Sequence, residues 1–466
     1  MNLDHRWEAA RCELGVGYRL FLKSGWSDAV GGRLDAARAG MEQLVRENAK
    51  SDYRSELANV LNTISLLYQR SDVLAGAADA DRKVRELLEE VVRLWKELAA
   101  EQATPDRLSD LAGGESNLGV YLLSRGNPKG AIELFGDSVE IRRKLVREHP
   151  KSLEHTERLS MALANLGAAY RTAGDPDRAE LLLKESLEAT TKLVRRNPFV
   201  DKFQADLALA YYNLGHNQLI RINRPGGDKV KMADAGEASL KEAANIYRRL
   251  AEEHSAELPY RMMHGATLAA IGHLRYEIKV ADAAPWYDQA IPILHKVIRD
   301  GDSNPETKKA LANSCWGRAE HRSKTKQWTA ALADWDEALR FAASSDRPDI
   351  VQGRTKTRIG YAQAATLDGD WRVAVEQSDF LKPESLTATQ CFEMARVMAL
   401  NAKDAADAKA KHVEEAATHA VEWLRRGMEK SLENDPTRQR AIEVFRSLPV
   451  LADRADFKDA IRKMEP

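Results

Sequence analysis

Apolar and small residues fall at helical spacing along this chain, in blocks of about twenty residues separated by short polar turns. From Leu166 and Gly167 the pattern runs through Tyr170 to a turn at Gly174, Asp175 and Pro176, and then to Ala179 and Leu183. Gly119, Gly126, Asn127, Pro128, Ala131 and Phe135 repeat it. Farther along only the second half survives: Gln327, Trp328, Ala331, Trp335 and Ala338, then Gly369, Asp370, Trp371 and Ala374. Near the start Leu14, Gly15 and Tyr18 match the first half. A glycine in mid-helix costs about 1 kcal/mol against alanine, so its reuse at one register points to a packing need. A small residue where two helices cross lets their axes approach, and the larger side chain three residues on fills the space beside it.

The blocks recur as a unit. Asn117-Leu118-Gly119, Asn165-Leu166-Gly167 and Asn213-Leu214-Gly215 follow one another at steps of 48 residues. A weaker copy, Ala270-Ile271-Gly272, comes after 57, and the surplus coincides with INRPGGDKVKMADAG at 222–236, which reads as an inserted loop. Blocks end alike at Arg46-Glu47-Asn48, Arg147-Glu148-His149, Arg195-Arg196-Asn197 and Glu252-Glu253-His254. Pro150 and Pro198, just beyond two of these ends, cannot continue a helix and suit the first turn of the next. Each unit is thus predicted to be two helices of about twenty residues, each about 30 Å long. One hairpin cannot bury its apolar face alone, so units must stack. The expected fold is an all-α solenoid of eight or nine antiparallel helix pairs over residues 1–433, most regular over 104–275. Residues 434–466 would cap its open end.

Composition agrees with helix nearly throughout. Hydrophobic residues make up 44% of the 466 and charged residues 30%, more charge than a compact globule usually carries. β-branched runs are scarce, and no strand is predicted. Lys plus Arg total 70 against 71 Asp plus Glu, and the signs alternate along most helices, so neither nucleic acid nor an acidic lipid surface is an expected partner. Three widely separated cysteines, Cys12, Cys315 and Cys391, make no disulfide framework and read as small buried hydrophobes in a reducing cytoplasm. No segment has eighteen uncharged apolar residues, and the first thirty lack a signal core, so neither a membrane span nor an export signal is expected.

These residues resemble the tetratricopeptide repeat, and the resemblance runs over about 5–433. It implies a right-handed superhelix whose concave wall binds a segment of another protein. The long period, the Arg-Glu-His-Pro type of helix end and the tail with Leu451, Arg454, Asp456 and Phe457 are also similar to the C-terminal halves of planctomycete serine/threonine protein kinases. No glycine-rich phosphate loop, HRD-type loop or DFG is present, so kinase activity is not implied. A non-enzymatic scaffold or adaptor is the reading favoured here, with a detached substrate-recruiting half of such a kinase, in contact with kinase-linked partners, as the alternative.

Candidate chemistry is thin. His412 and His419 share a helix face but lack the HExxH spacing of a zinc site, so no metal is expected. Asp368 and Asp370 flank Gly369 as a hairpin turn would, without the downstream glutamate of a calcium loop. Gly226 and Gly227 lack the GKS or GKT ending of a phosphate loop, and no catalytic residue or cofactor is expected. Trp286, Trp316, Trp328, Trp335 and Trp371 read as core. Positions one after and three before each crossing glycine should face the concave wall: Ser116 and Val120, Ala164 and Ala168, Tyr212 and His216, Ala269 and His273. None is lysine, which departs from the pattern of arrays that grip chaperone C-termini. Tyr212, His216, His273 and Tyr276 would be aromatic anchors for a peptide over a floor of Ala164, Ala168 and Ala269, unless they are ordinary half-buried packing residues.

Overall fold

The computed structural model describes residues 3–71, 78–224, 228–278, 283–302, 304–382, 386–407, 413–431, 436–446, 449–452 and 454–462. Among the described residues every regular element is a helix, and consecutive helices pair as the repeat requires. The chain divides into two compact units, residues 1–250 and 251–466.

In the first unit the pairs are α1 (Leu3–Ser24) with α2 (Asp28–Glu47), α3 (Ser51–Gln69) with α4 (Ala78–Glu101), and α5 (Pro105–Ser124) with α6 (Pro128–Glu148). Then come α7 (Leu153–Thr172) with α8 (Pro176–Arg196) and α9 (Asp201–Ile222) with α10 (Lys229–Glu253). The second unit pairs α11 (Leu258–Ile278) with α12 (Ala284–Arg299), α13 (Pro305–Lys324) with α14 (Trp328–Phe341), α15 (Arg347–Leu367) with α16 (Trp371–Asp379), and α17 (Ala388–Asp407) with α18 (Val413–Lys430). Short helices α19 (Pro436–Arg446), α20 (Pro449–Ala452) and α21 (Ala455–Arg462) follow.

The turns explain the helix limits. Asn127, Asp175 and Asp370 each accept a hydrogen bond from the amide three residues on, satisfying a donor the helix start leaves open. The residue before each, Gly126, Gly174 or Gly369, adopts positive φ, which only glycine takes without strain. Lys326 occupies that slot before α14 at φ 61°, and there Gln327 supplies no side-chain cap. Asp368 and Asp370 are therefore turn residues. All four repeated block ends close helices, with Asn48, His149 and Asn197 as C-caps.

Two expectations are corrected. Pro150 and Pro198 stand in the linkers before α7 and α9, not in their first turns, which begin at Leu153 and Asp201. Residues 229–236, read as inserted loop, are helical: Asp228 accepts from the Lys231 amide and starts α10, whose Ala- and Lys-rich sequence favours helix. Gly226 and Gly227 lie outside the described residues.

Packing follows the crossing glycines. A Cβ on Gly119 would sit 2.7 Å from the Phe135 ring, and one on Gly215 would sit 2.5 Å from Leu240 Cγ and 2.9 Å from the Gly236 carbonyl. A second device also repeats at 48 residues. Ser138 Oγ donates to the Ala112 carbonyl (2.8 Å) and Ser186 Oγ to the Ser160 carbonyl (2.9 Å), tying each second helix to its first inside an otherwise apolar contact. Trp335 is buried, its indole N–H bonded to Thr357 Oγ1 at 2.8 Å, while Trp286, Trp316, Trp328 and Trp371 are half-buried. Cys315 and Cys391 are buried as expected, but Cys12, on α1, is exposed and is not a core residue. At the C-terminus Phe445, Leu451, Phe457 and Ala460 join the core of α17 and α18. Arg454 binds Asp456 (2.9 Å), Glu414 and Thr418, fastening α21 to α18.

Candidate ligand groove

In the first unit the first helices of successive pairs lie side by side, and their exposed face holds a cavity of about 750 Å³. α3 supplies Asn59 and Asn62; α5 supplies Asp110, Gly113, Ser116, Asn117 and Val120; α7 supplies Arg158, Met161 and Asn165. Trp95 of α4 and Arg142 of α6 reach it from the second helices. Asn117 Nδ2 donates to Asn62 Oδ1 at 2.8 Å, so the asparagine of one repeat meets that of its neighbour across the wall. Two apolar side chains beside this row are open to solvent, Val120 at 47% and Met161 at 55%, and Leu209, 48 residues beyond Met161, is 41% exposed on α9. An amide row flanked by apolar patches can bond an extended backbone and cover its side chains.

The asparagines are the residues that sequence reasoning missed, though the signal was in view. Asn117, Asn165 and Asn213 are the first letters of the triplet used to find the repeat. The triplet marks the small-residue crossing, and its asparagine lies two positions back on the helix, on the open side.

The positions predicted from the glycine register are distributed as follows. Ser116 and Val120 line the cavity, and Ser116 Oγ is also bonded to the Ala112 carbonyl (2.8 Å) and lies 2.9 Å from Ser138 Oγ. Ala164 and Ala168 are half-buried on α7 and do not line it. On α9, Tyr212 and His216 are half-buried and stack at 5.9 Å between ring centroids. In the second unit Ala269 is buried, and His273 Nδ1 lies 3.0 Å from the Tyr287 hydroxyl. A Cβ on Gly317 of α13 would fall 2.7 Å from the His273 ring, so that imidazole is wedged between α12 and α13, and burial lowers its pKa to about 4. His273 therefore packs as a neutral ring. Tyr276 packs partly against the same core under the Lys324 ammonium, 4.2 Å from the ring centre.

The cavity is charged but balanced. Arg158 pairs with Glu154 at 2.8 Å, and Lys202 pairs with Glu157. Burial raises the pKa of Asp110, and burial followed by the nearby Glu157 raises that of Asp206 to about 6. Behind the wall Glu115 is 1% exposed, with Oε1 3.5 Å from Lys96 Nζ and Oε2 unbonded; burial raises its pKa to about 7. His412 lies outside the described residues, and His419 Nδ1 stands 3.8 Å from Asp379.

Residues 116–151 and 159–197 each match the tetratricopeptide repeat family. The two matched segments fall on α5–α8, among the helices that build the groove. No curated protein matches the sequence. Among solved structures, the chain is similar to a Rap protein complexed with competence and sporulation factor (14% identity, 94% of this chain and 99% of that one, TM-score 0.42). It is similar also to a thermophilic tetratricopeptide repeat protein of Thermus thermophilus (21%, 53% and 98%, TM-score 0.30). A third is aspartyl phosphate phosphatase F of Bacillus subtilis (12%, 92% and 95%, TM-score 0.41). Among the described residues no helix is long and apolar enough to cross a membrane.

Proposed function

We propose that this protein is a non-enzymatic scaffold that holds an extended segment of another protein in the groove of its first unit. The observation carrying this reading is the row formed by Asn62, Asn117 and Asn165 beside Val120 and Met161. Amide side chains both donate and accept, as an extended backbone requires, and exposed apolar side chains flanking them in a cavity gain from being covered. Two of the groove's acids, Glu154 and Glu157, are paired with Arg158 and Lys202, which supports a binding role over acid–base chemistry. Tyr212 and His216, stacked on α9, are proposed to extend the contact surface. The test is panning of a random decapeptide library against the wild type and against Val120→Asp/Met161→Asp. Enriched peptides should protect α5 and α7 amides from hydrogen exchange and lose at least tenfold in affinity for the double variant. Peptides that bind both proteins equally, or protect other helices, would refute the groove.

A second reading, a recruiting half that works beside a serine/threonine kinase in the cytoplasm, draws support from the tail. Leu451, Arg454, Asp456 and Phe457, the residues of the resemblance, close the core of α17 and α18 together. Finding no kinase domain in the reading frame around this sequence or in the adjacent genes would remove it.

A further inference from the structure

Arg142 is a groove residue that the packing does not explain. It is 5% exposed, lies on the second helix α6, and reaches the cavity between α5 and α7 past Gly113 and Ala162. Its Nε donates to Ser138 Oγ at 3.3 Å, but among the described residues Nη1 and Nη2 have no hydrogen-bond or ion-pair partner. A buried guanidinium ordinarily has a partner, since an unpaired charge is costly to desolvate. One repeat later the same position is Thr190, whose hydroxyl is bonded within its own helix to the Ser186 carbonyl at 3.0 Å. The repeat can therefore be built without a charge here. Burial, and after it the neighbouring Arg158, lowers the Arg142 pKa to about 10, so the guanidinium is less well compensated here than it would be in water. Glu115, Asp110 and Glu154 act on it electrostatically, but none of the three forms an ion pair with it.

We infer that Arg142, with Arg158 beside it, is a subsite for one carboxylate of the segment bound in the groove, the asparagine row holding the adjoining backbone. A planar guanidinium whose terminal nitrogens carry no protein partner has the donors a carboxylate needs for a bidentate pair. Asp110, Glu154 and Glu157 line the same cavity, and their charge sets a single-charge anion ahead of a dianionic phosphate. This inference rests on the groove reading above.

The test uses the full-length protein and four pools of ten-residue peptides with randomised flanks. One carries a fixed central Glu and an amidated C-terminus, the second a central Gln with the same amide, the third a central Gln with a free C-terminal carboxylate, and the fourth a central phosphoserine with an amide. Retention of the first or third pool at least tenfold above the second is expected, and which of the two is retained tells whether the carboxylate comes from a side chain or from the chain end. Arg142→Met should abolish that preference, Arg142→Lys should keep part of it, and Asp110→Asn should strengthen it. Arg142→Met should also leave the melting temperature unchanged or higher, whereas a merely structural arginine would lower it. Equal retention of all four pools overturns the carboxylate site while leaving the groove reading intact. Retention of none overturns both, and preferential retention of the phosphoserine pool overturns the choice of a singly charged anion.

Discussion

Two glycines of the first unit should respond oppositely to the same methyl group. Gly136 lies in the interior of α6 with nothing within 4 Å of an added Cβ, so Gly136→Ala keeps only the helix-propensity gain of about 1 kcal/mol. Gly215 lies where α9 crosses α10. Its added Cβ meets Leu240 Cγ at 2.5 Å and the Gly236 carbonyl at 2.9 Å. Leu240 can turn, but the carbonyl belongs to α10 and yields only if the whole helix moves. Gly236→Ala would not relieve the contact, since the obstacle is backbone. Overpacking of this kind costs typically 1–3 kcal/mol, and a displaced α10 would add lost contacts at Ala243 and Tyr247, so the propensity gain is outweighed by about 1–2 kcal/mol. At roughly 2–4 °C per kcal/mol for a unit of this size, Gly215→Ala should melt a few degrees below the wild type and Gly136→Ala a few degrees above it. Urea and thermal unfolding followed by circular dichroism would read both. A Gly215→Ala protein as stable as the wild type, or as stable as Gly136→Ala, would show that close helix crossing is not what keeps glycine at this register.

Lys326→Gly should stabilise the α13–α14 turn by about 1 kcal/mol, because lysine holds a positive φ there; chemical denaturation would show it. Glu115 should make stability depend on pH. Its pKa is raised from 4.5 to about 7, so the stabilisation is present at acid pH and lost as pH rises through 7. Glu115→Gln should therefore gain up to roughly 3 kcal/mol over the wild type at pH 8 and little at pH 5, and a pH-independent difference would contradict this. Native thiol labelling should modify Cys12 first and spare Cys315, whose pKa burial pushes up to about 12; mass spectrometry before and after unfolding distinguishes them. Phe457→Ala should cost about 3 kcal/mol and loosen α17 and α18 in hydrogen exchange, while a variant with unchanged protection there would deny the tail its covering role.

Helix pairing, the turn chemistry at Gly126, Asn127 and Pro128, and the 48-residue step were legible along the chain, because each depends on residues a few positions apart and recurs. The same periodicity carried the asparagine row without announcing it: whether Asn117 faces a neighbour or open solvent depends on how α3 and α5 lie together. What only the tertiary structure decided is which side chains lack partners. His273 and Arg142 are both polar residues at helical spacing, yet one is wedged against Tyr287 and Gly317 and the other faces a cavity with two nitrogens free. The linear pattern is blind to that difference, since desolvation and charge are set by atoms from three or four helices at once, brought together by stacking rather than by any spacing within a helix.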